Sequence, residues 1–240
     1  MSTASVIIIG DEILSGKFED ANGPFLIRRL RALGADLKRL VVIGDTPAEI
    51  ADEVSRCMAA TDQVITTGGV GPTHDDRTLE GVGLAVGRPL LPHPDLLALL
   101  DQFGMERSEP NLRMVTVPEG SVLIDAPGSS FPVVRVDNVW VLPGIPNLMQ
   151  TKFEDIAQFF AGKQVHVERL YCTQGESEIA AHLESVEAAF PGVSIGSYPR
   201  WGERRYRVLI TADSRDQGTL QQAVTMLREG IACVDLGSEV

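Results

Sequence analysis

The chain has 240 residues, 44% of them hydrophobic and 22% charged, with a formal net charge of −12 at pH 7. That length holds one large core, or one plus a small one. The acidic balance argues against nucleic acid or an anionic membrane as a broad electrostatic partner.

No apolar run reaches membrane-spanning length, and Met1-Ser2-Thr3 lacks the basic start of a signal peptide. Cys57, Cys172 and Cys233 are too scattered for a disulfide framework or a Cys-based metal site. Each is expected to be a small buried apolar residue, in a reducing cytoplasm.

Ser5 to Gly10 reads as a strand buried on both faces, because Val6-Ile7-Ile8-Ile9 runs on without alternation. Gly10 to Gly16 follows as a loop carrying Asp11 and Glu12. Asp20, Asn22 and Pro24 introduce a helix from Phe25 to Leu33, closed by Gly34. Leu37 to Ile43 is the second strand. Thr46-Pro47-Ala48-Glu49 has the spacing of a capping box, with proline in the first helical position, and predicts a helix to about Ala60. Asp45, just before it, is either a turn residue or a carboxylate on the rim of a site.

Val64 to Thr67 is a third apolar strand. It stops at Gly68-Gly69 and passes through Val70-Gly71-Pro72-Thr73-His74-Asp75-Asp76 to a helix that Thr78 is placed to cap and that reaches about Val86, weakened by Gly81 and Gly83. A helix follows Pro92-His93-Pro94 to about Phe103, then loop-like sequence from Gly104 to Asn111. Strands are expected at Val122–Ile124, Val133–Val136 and Val139–Leu142, the last two joined through Asp137-Asn138. Ala126 to Ser130 is a loop suited to a second set of ligand contacts, and Pro143-Gly144-Ile145-Pro146 turns into a helix ending near Phe160. The pattern changes at about residue 163. Beyond it come a strand (Val165–Tyr171), a helix (Glu176–Ala189), two strands (Val193–Tyr198, Tyr206–Ala212), a helix (Gln217–Arg228) and a short strand at Ile231–Val234, the order of a small split βαβ domain. Tyr198 to Arg207 mixes arginines with aromatics, which suits a hairpin with exposed arginines or a contact surface.

Asp11/Glu12, Asp45, the glycine loop with Asp75/Asp76, and Pro143–Pro146 all fall at the ends of predicted parallel strands. Ligands of open α/β sheets bind there. Glycines allow close backbone approach and positive φ, and freed N–H groups favour an anion. Carboxylates beside phosphate oxygens repel them unless a divalent cation intervenes, and Mg²⁺ characteristically takes one or two carboxylates plus substrate phosphate. One of the adjacent pair Asp75 and Asp76 is expected in the site, the other capping or exposed. The loop has no Gly-Lys-Ser/Thr ending, so it is not a nucleoside-triphosphatase P-loop, and His74, His93, His166 and His182 show no metal-ligand spacing.

At Gly10–Gly16, Asp20-Ala21-Asn22, Val42–Asp45, Thr66–Thr78 and Leu142–Pro146 the sequence resembles the molybdopterin-binding (MoaB/MogA-like) superfamily. Within it, the likeness is to the N-terminal region of competence/damage-inducible protein A and to the related domain joined to FAD synthase. It spans about residues 5–160, and more weakly the small domain. The resemblance implies a three-layer α/β/α fold with a mainly parallel sheet over 1–163 and a small α+β domain over 164–240, self-associating as dimers or trimers. It implies a small-molecule pocket for a phosphorylated pterin such as molybdopterin, or a nucleotide diphosphate. The ligand-binding residues would be Gly10, Asp11, Glu12, Asn22, Thr67, Gly68, Gly69, Gly71, Pro72, Thr73, Asp75, Pro143 and Gly144. Asp45 and Asp76 fall on the functional acids and would hold a divalent cation (Mg²⁺, Mn²⁺, Co²⁺ or Ni²⁺) for cleavage of a pyrophosphate bond in ADP-ribose- or FAD-like dinucleotides. The alternatives are a module that carries molybdopterin without turning it over, and adenylyl transfer in molybdenum-cofactor assembly. Asp125 to Ser130 departs from the family's usual Gly-Thr-Ala-Pro-Gly-Phe loop.

Overall fold

Ile7, Ile8 and Ile9 are all buried in the strand β1 (Thr3–Ile9), so it must be covered on both faces. The computed structural model describes residues 2–125 and 131–235, and the chain divides into two units, Met1–Gly162 and Lys163–Val240. The expected contact loop Ala126–Ser130 lies outside the described residues.

In the first unit β1 is followed by α1 (Asp11–Leu14), α2 (Asn22–Ala32), β2 (Asp36–Ile43), α3 (Pro47–Ala60), β3 (Gln63–Thr67), α4 (Thr78–Val86), β4 (Leu90–Pro92) and α5 (Pro94–Gln102). Then come α6 (Glu109–Met114), β5 (Thr116–Pro118), β6 (Val122–Ile124), β7 (Val133–Val136), β8 (Val139–Leu142) and α7 (Pro146–Ile156), with a 3-10 turn over Ala157–Phe160. The main sheet has the order β2-β1-β3-β8-β7-β6. β2, β1, β3 and β8 are parallel; β7 and β6 are antiparallel additions at one edge. The chain leaves β1 first toward β2 and then returns to place β3 on its other side. The carboxyl ends of β1 and β3 therefore flank the point where strand order reverses.

Alternation along β1 sorts the core into two layers. Ile7 and Ile9 pack with Ile50, Val54, Val82 and Leu96, beneath α3, α4 and α5. Val6 and Ile8 pack with Leu26, Leu30, Trp140, Phe153 and Phe160, beneath α2 and α7. The result is a three-layer α/β/α unit. Each fully buried large side chain contributes about 1.5–3 kcal/mol relative to exposure.

Five local expectations are corrected. The Gly10–Gly16 loop contains the single turn α1, and α2 starts at Asn22 because the Asp20 carboxylate accepts the N–H groups of Asn22 and Gly23. The loop-like Gly104–Asn111 runs into α6. Thr46 caps α3 without a side-chain bond, so the capping box is not made, and Thr78 lies inside α4 with Arg77 at the cap position.

In the second unit β9 (His166–Cys172), α8 (Glu176–Ala189), β10 (Val193–Pro199), β11 (Val208–Ser214), α9 (Gln217–Gly230) and β12 (Cys233–Val234) follow in order. Their antiparallel sheet has the order β10-β11-β9-β12, and Leu170, Ile210, Leu220 and Leu227 share its core with Ile179 and Val186 of α8. The strand expected from Tyr206 begins at Val208, and the Tyr206 ring instead packs edge-on against Tyr171. Cys57 and Cys172 are buried as expected, whereas Cys233 is half-buried. No helix among the described residues is long and apolar enough to cross a membrane.

Candidate functional site

The turn after β3 is built by contacts that only glycine permits. Gly68 has φ +105°, and a Cβ there would stand 2.0 Å from the Ile9 carbonyl oxygen of β1. Gly69 has φ +61°, and its absent Cβ would meet the Thr78 hydroxyl at 2.6 Å. Thr78 holds the turn shut: its hydroxyl donates to the Gly68 carbonyl at 2.7 Å and its N–H to the Gly69 carbonyl at 2.9 Å. The Gly68 N–H donates to Leu142 at 3.2 Å. The next three N–H groups, of Gly69, Val70 and Gly71, donate to no protein group among the described residues. Consecutive backbone donors left open in this way form an anion-binding concavity.

Asn22 fastens this turn to its neighbours from the buried start of α2. Its Nδ2 donates to Thr67 Oγ1 at 3.1 Å and to the Gly144 carbonyl at 2.8 Å, while the Thr67 hydroxyl donates to the Pro143 carbonyl at 2.8 Å. Asn22 Oδ1 is buried and unpaired. Pro143-Gly144 runs beside the turn, with a Gly144 Cβ only 3.1 Å from Gly68 Cα.

Two clefts open over Gly68 and Gly69, and a third borders Val70, Gly71 and Asp76 beside Arg77 and Arg113. The first, of about 460 Å³, brings together Glu12, Asn22, Asp45, Thr67, Gly68, Gly69, Asp75, Asp76 and Gly144 from the expected set, and adds Glu19 and Asp20. Six carboxylates line it and no Lys, Arg or His among the described residues does. The second, of about 620 Å³, shares Glu12, Gly68, Gly69, Asp76 and Gly144, adds Gly71, Pro72 and Pro143, and is otherwise apolar, with Leu79, Leu96 and Phe131. Its one cation among the described residues is Lys152. Gly10 and Asp11 line neither cleft. The Asp11 N–H instead donates to Asp45 Oδ2 at 2.9 Å. Thr73 also stands back, its N–H donating to Asp76 Oδ2 at 2.8 Å and its hydroxyl 2.5 Å from both Asp75 Oδ1 and Asp76 Oδ2. Of the adjacent acids, Asp76 is half-buried and Asp75 exposed, and both border the acidic cleft. The His74 side chain is exposed.

The charge pattern has a consequence for Asp45. Burial raises its pKa, the Asp11 N–H pulls it back, and the carboxylates of Asp11, Glu12 and Asp75 push it up further. Asp45 Oδ1 would lie 3.6 Å from a Cβ on Gly69, and Asp76 Oδ2 2.7 Å from one on Gly71, so both acids stand beside the glycine turn. Hard oxygen donors with uncompensated negative charge fit a divalent cation. Among the described residues no three His, Cys, Asp or Glu side chains converge as a ready-made metal cage. A cation would take one or two carboxylates and complete its shell with water and phosphate oxygens.

Two residues of the site had no signal in the sequence. Arg113 of α6 donates to the Pro72 carbonyl at 3.2 Å and the Thr73 carbonyl at 2.5 Å, bracing the loop from outside. Lys152 of α7 is 5% exposed, its Nζ has no hydrogen-bond partner, and burial lowers its pKa.

The fold and these clefts define an α/β protein with a small-molecule cleft at the carboxyl ends of its parallel strands. Its residues 5–162 match the family described as probable molybdopterin binding domain, to which the chain belongs, and residues 164–234 match the middle domain of FAD synthase. A probable FAD synthase of Caenorhabditis elegans is 33% identical over 259 residues, covering 96% of this chain and 50% of that protein. The chain thus spans about half the length of that relative. A protein of Archaeoglobus fulgidus is 33% identical over 225 residues, covering 93% of this chain and 96% of its own. The crystal structure of the protein CinA, with unknown function, from Thermoplasma acidophilum superposes with a TM-score of 0.61 at 29% identity, covering 67% of this chain and 100% of that one.

Proposed function

We propose that the first unit binds a nucleoside diphosphate or phosphorylated pterin across the glycine turn and, with a divalent cation, hydrolyses the pyrophosphate bond of an ADP-ribose- or FAD-like dinucleotide. What supports this reading is one juxtaposition: three consecutive N–H groups, Gly69 to Gly71, open among the described residues, in a turn flanked by the carboxylates of Asp45 and Asp76. The amides would hold phosphate oxygens, and the two acids would hold the cation and orient the attacking water. The cation supplies charge neutralisation and polarises the phosphoryl oxygen. Water adds to one phosphorus, the bridging P–O bond breaks, and the second phosphate departs with the electron pair, giving AMP and another phosphomonoester while the water's proton passes to solvent.

The second reading is adenylyl transfer, favoured by the match of residues 164–234 to the FAD synthase middle domain. It would use the same cleft with a phosphorylated acceptor in place of water. A module that carries molybdopterin unchanged needs the amides but not the cation.

AMP release from ADP-ribose and FAD, followed by chromatography with and without Mg²⁺, Mn²⁺, Co²⁺ or Ni²⁺, separates these readings. Cation-dependent AMP that falls at least 100-fold in Asp76→Asn, on the scale of losing a positioned catalytic group, supports hydrolysis. An unchanged rate in that variant removes Asp76 from the mechanism. No AMP with any cation leaves adenylyl transfer, tested next by FAD formation from ATP and FMN, and the binding module, tested by titrating molybdopterin.

A further inference from the structure

The apolar cleft beside the acidic one has a feature that a pyrophosphate site over the glycine turn does not use. Lys152 lies about two turns into α7, its side chain lining the cleft with the ammonium nitrogen buried and without a hydrogen-bond partner among the described residues. A buried ammonium normally shows a carboxylate within ion-pair distance, because removing it from water unpaired is expensive. Asp155, three residues on, and Asp125 at the end of β6 act on Lys152 only electrostatically, and neither forms an ion pair with it. Asp155 Oδ2 is itself buried and unpaired, so helical proximity has not joined them. A lysine whose only task was to fill space would be replaced at lower cost by methionine.

α7 packs against α2 and β8. The Lys152 side chain lines the cleft together with Phe131, Pro132, Val133 and Val134, and so reaches the β7 side of the glycine turn. The acidic cleft is on the other side, over β1 and β2. A ligand whose phosphates lie on Gly69–Gly71 therefore has one arm among carboxylates and the other among Leu79, Leu96 and Phe131, with a cation in that apolar wall.

We infer that Lys152 is a specificity-determining residue whose ammonium binds an anionic oxygen on the arm of the ligand lying in the apolar cleft. This deepens the proposed function and rests on its placement of the phosphates. The oxygen belongs either to a phosphate or to a polarised ring carbonyl of a fused heterocycle, both of which present negative charge on oxygen to a donor. In either case the ligand, by meeting the ammonium, relieves a desolvation cost that the protein alone leaves uncompensated, and that difference favours ligands with such an oxygen over those without it.

The test measures binding by calorimetry on the full chain in EDTA, so that no divalent cation is required. The probes are inorganic phosphate, ADP, riboflavin and FMN, and the proteins are wild type, Lys152→Met and Lys152→Arg. Lys152→Met should weaken at least one probe tenfold or more, with Lys152→Arg recovering part of the loss. Loss for phosphate and ADP but not riboflavin assigns a phosphate. Equal loss for riboflavin and FMN with phosphate unaffected assigns a ring oxygen. Unchanged affinity for every probe, or no binding of any probe by wild type, overturns the assignment. Thermal unfolding of Lys152→Met should show no loss of stability, so weakened binding is not unfolding. Failure of the hydrolase reading is seen separately: no AMP with any cation while Lys152-dependent binding persists.

Discussion

Replacing Gly68 by alanine tests whether the turn is set by backbone contact between β3 and β1. The new Cβ would start 2.0 Å from the Ile9 carbonyl oxygen and 3.1 Å from the Ile9 carbonyl carbon, neither of which can rotate away. Ile9 is a core residue of β1, paired through β1 with both β2 and β3, so relief requires moving the sheet at its centre. The residue must also hold φ +105°, which costs an alanine roughly 1–2 kcal/mol before any clash. Adding overpacking of about 1–3 kcal/mol, the expected loss is about 3 kcal/mol or more, roughly 6–12 °C in midpoint for a domain of this size. Gly87→Ala is the control: φ +66° is comparably left-handed, but nothing lies within 4 Å of the missing Cβ, so it should cost only about 1 kcal/mol. Tryptophan fluorescence reads the right unit, because Trp140 is fully buried in it while Trp201 of the second unit is 97% exposed and changes little. Equal midpoint losses in the two variants would refute the close-approach account and leave backbone strain alone.

Asn22→Ala removes the donor to Thr67 and Gly144 and should cost about 2 kcal/mol in urea unfolding, with no loss expected if water replaces the amide without penalty. Asp45→Asn should stabilise the protein at neutral pH by roughly 0.5 kcal/mol, the scale of a half-exposed charge contact. The sign follows from the raised pKa: the native state disfavours the carboxylate, so the penalty is fully present above the native pKa and vanishes as pH falls below the unfolded one. The stability gap between variant and wild type should therefore close on acidification through the carboxylate range, and a gap that widens there would contradict the repulsion described. Arg113→Ala should leave global stability within about 1 kcal/mol yet speed amide exchange at Thr73 and Asp76, since the carbonyls of Pro72 and Thr73 lose their brace; unchanged exchange would make the arginine incidental.

The strands β1 and β3 are legible in the sequence because burial on both faces demands uninterrupted apolar runs, and few other structures use them; β2, an edge strand with Lys38 and Arg39 exposed, is marked only by its apolar end Leu40–Ile43. The glycine turn is legible for a related reason: its backbone requirement, positive φ at Gly68 and Gly69 with no room for Cβ, can be met by one residue type. The helix after the glycine turn is legible in its existence and its end near Val86, but the role of Thr78 is not: it is the first helical residue, and its hydroxyl serves the Gly68 carbonyl rather than the helix end. Asp45 at the end of β2 was visible as an acid but undecided as to role, because its neighbours Asp11, Glu12 and Asp75 come from other loops.

The remaining features depend on contacts that no local pattern encodes. α1, β4, β5 and α6 are three to six residues long, too short for a period of 2.0 or 3.6 to register, and they form where the sheet and its helices leave room. Arg113 and Lys152 read in sequence as ordinary solvent-facing cations of helices. Chain separation hides the first from the loop carbonyls it holds, and only the packing of α7 against the sheet takes the second out of water. The sequence by itself determined which strands are buried, where the chain must turn on glycine, and that acids gather near that turn, because each rests on backbone geometry or composition within a few residues. Tertiary structure alone decided that every charged side chain lining one cleft is acidic and that its neighbour is largely apolar with one buried ammonium among the described residues, because charge balance in a cleft is a property of side chains that meet across the sheet.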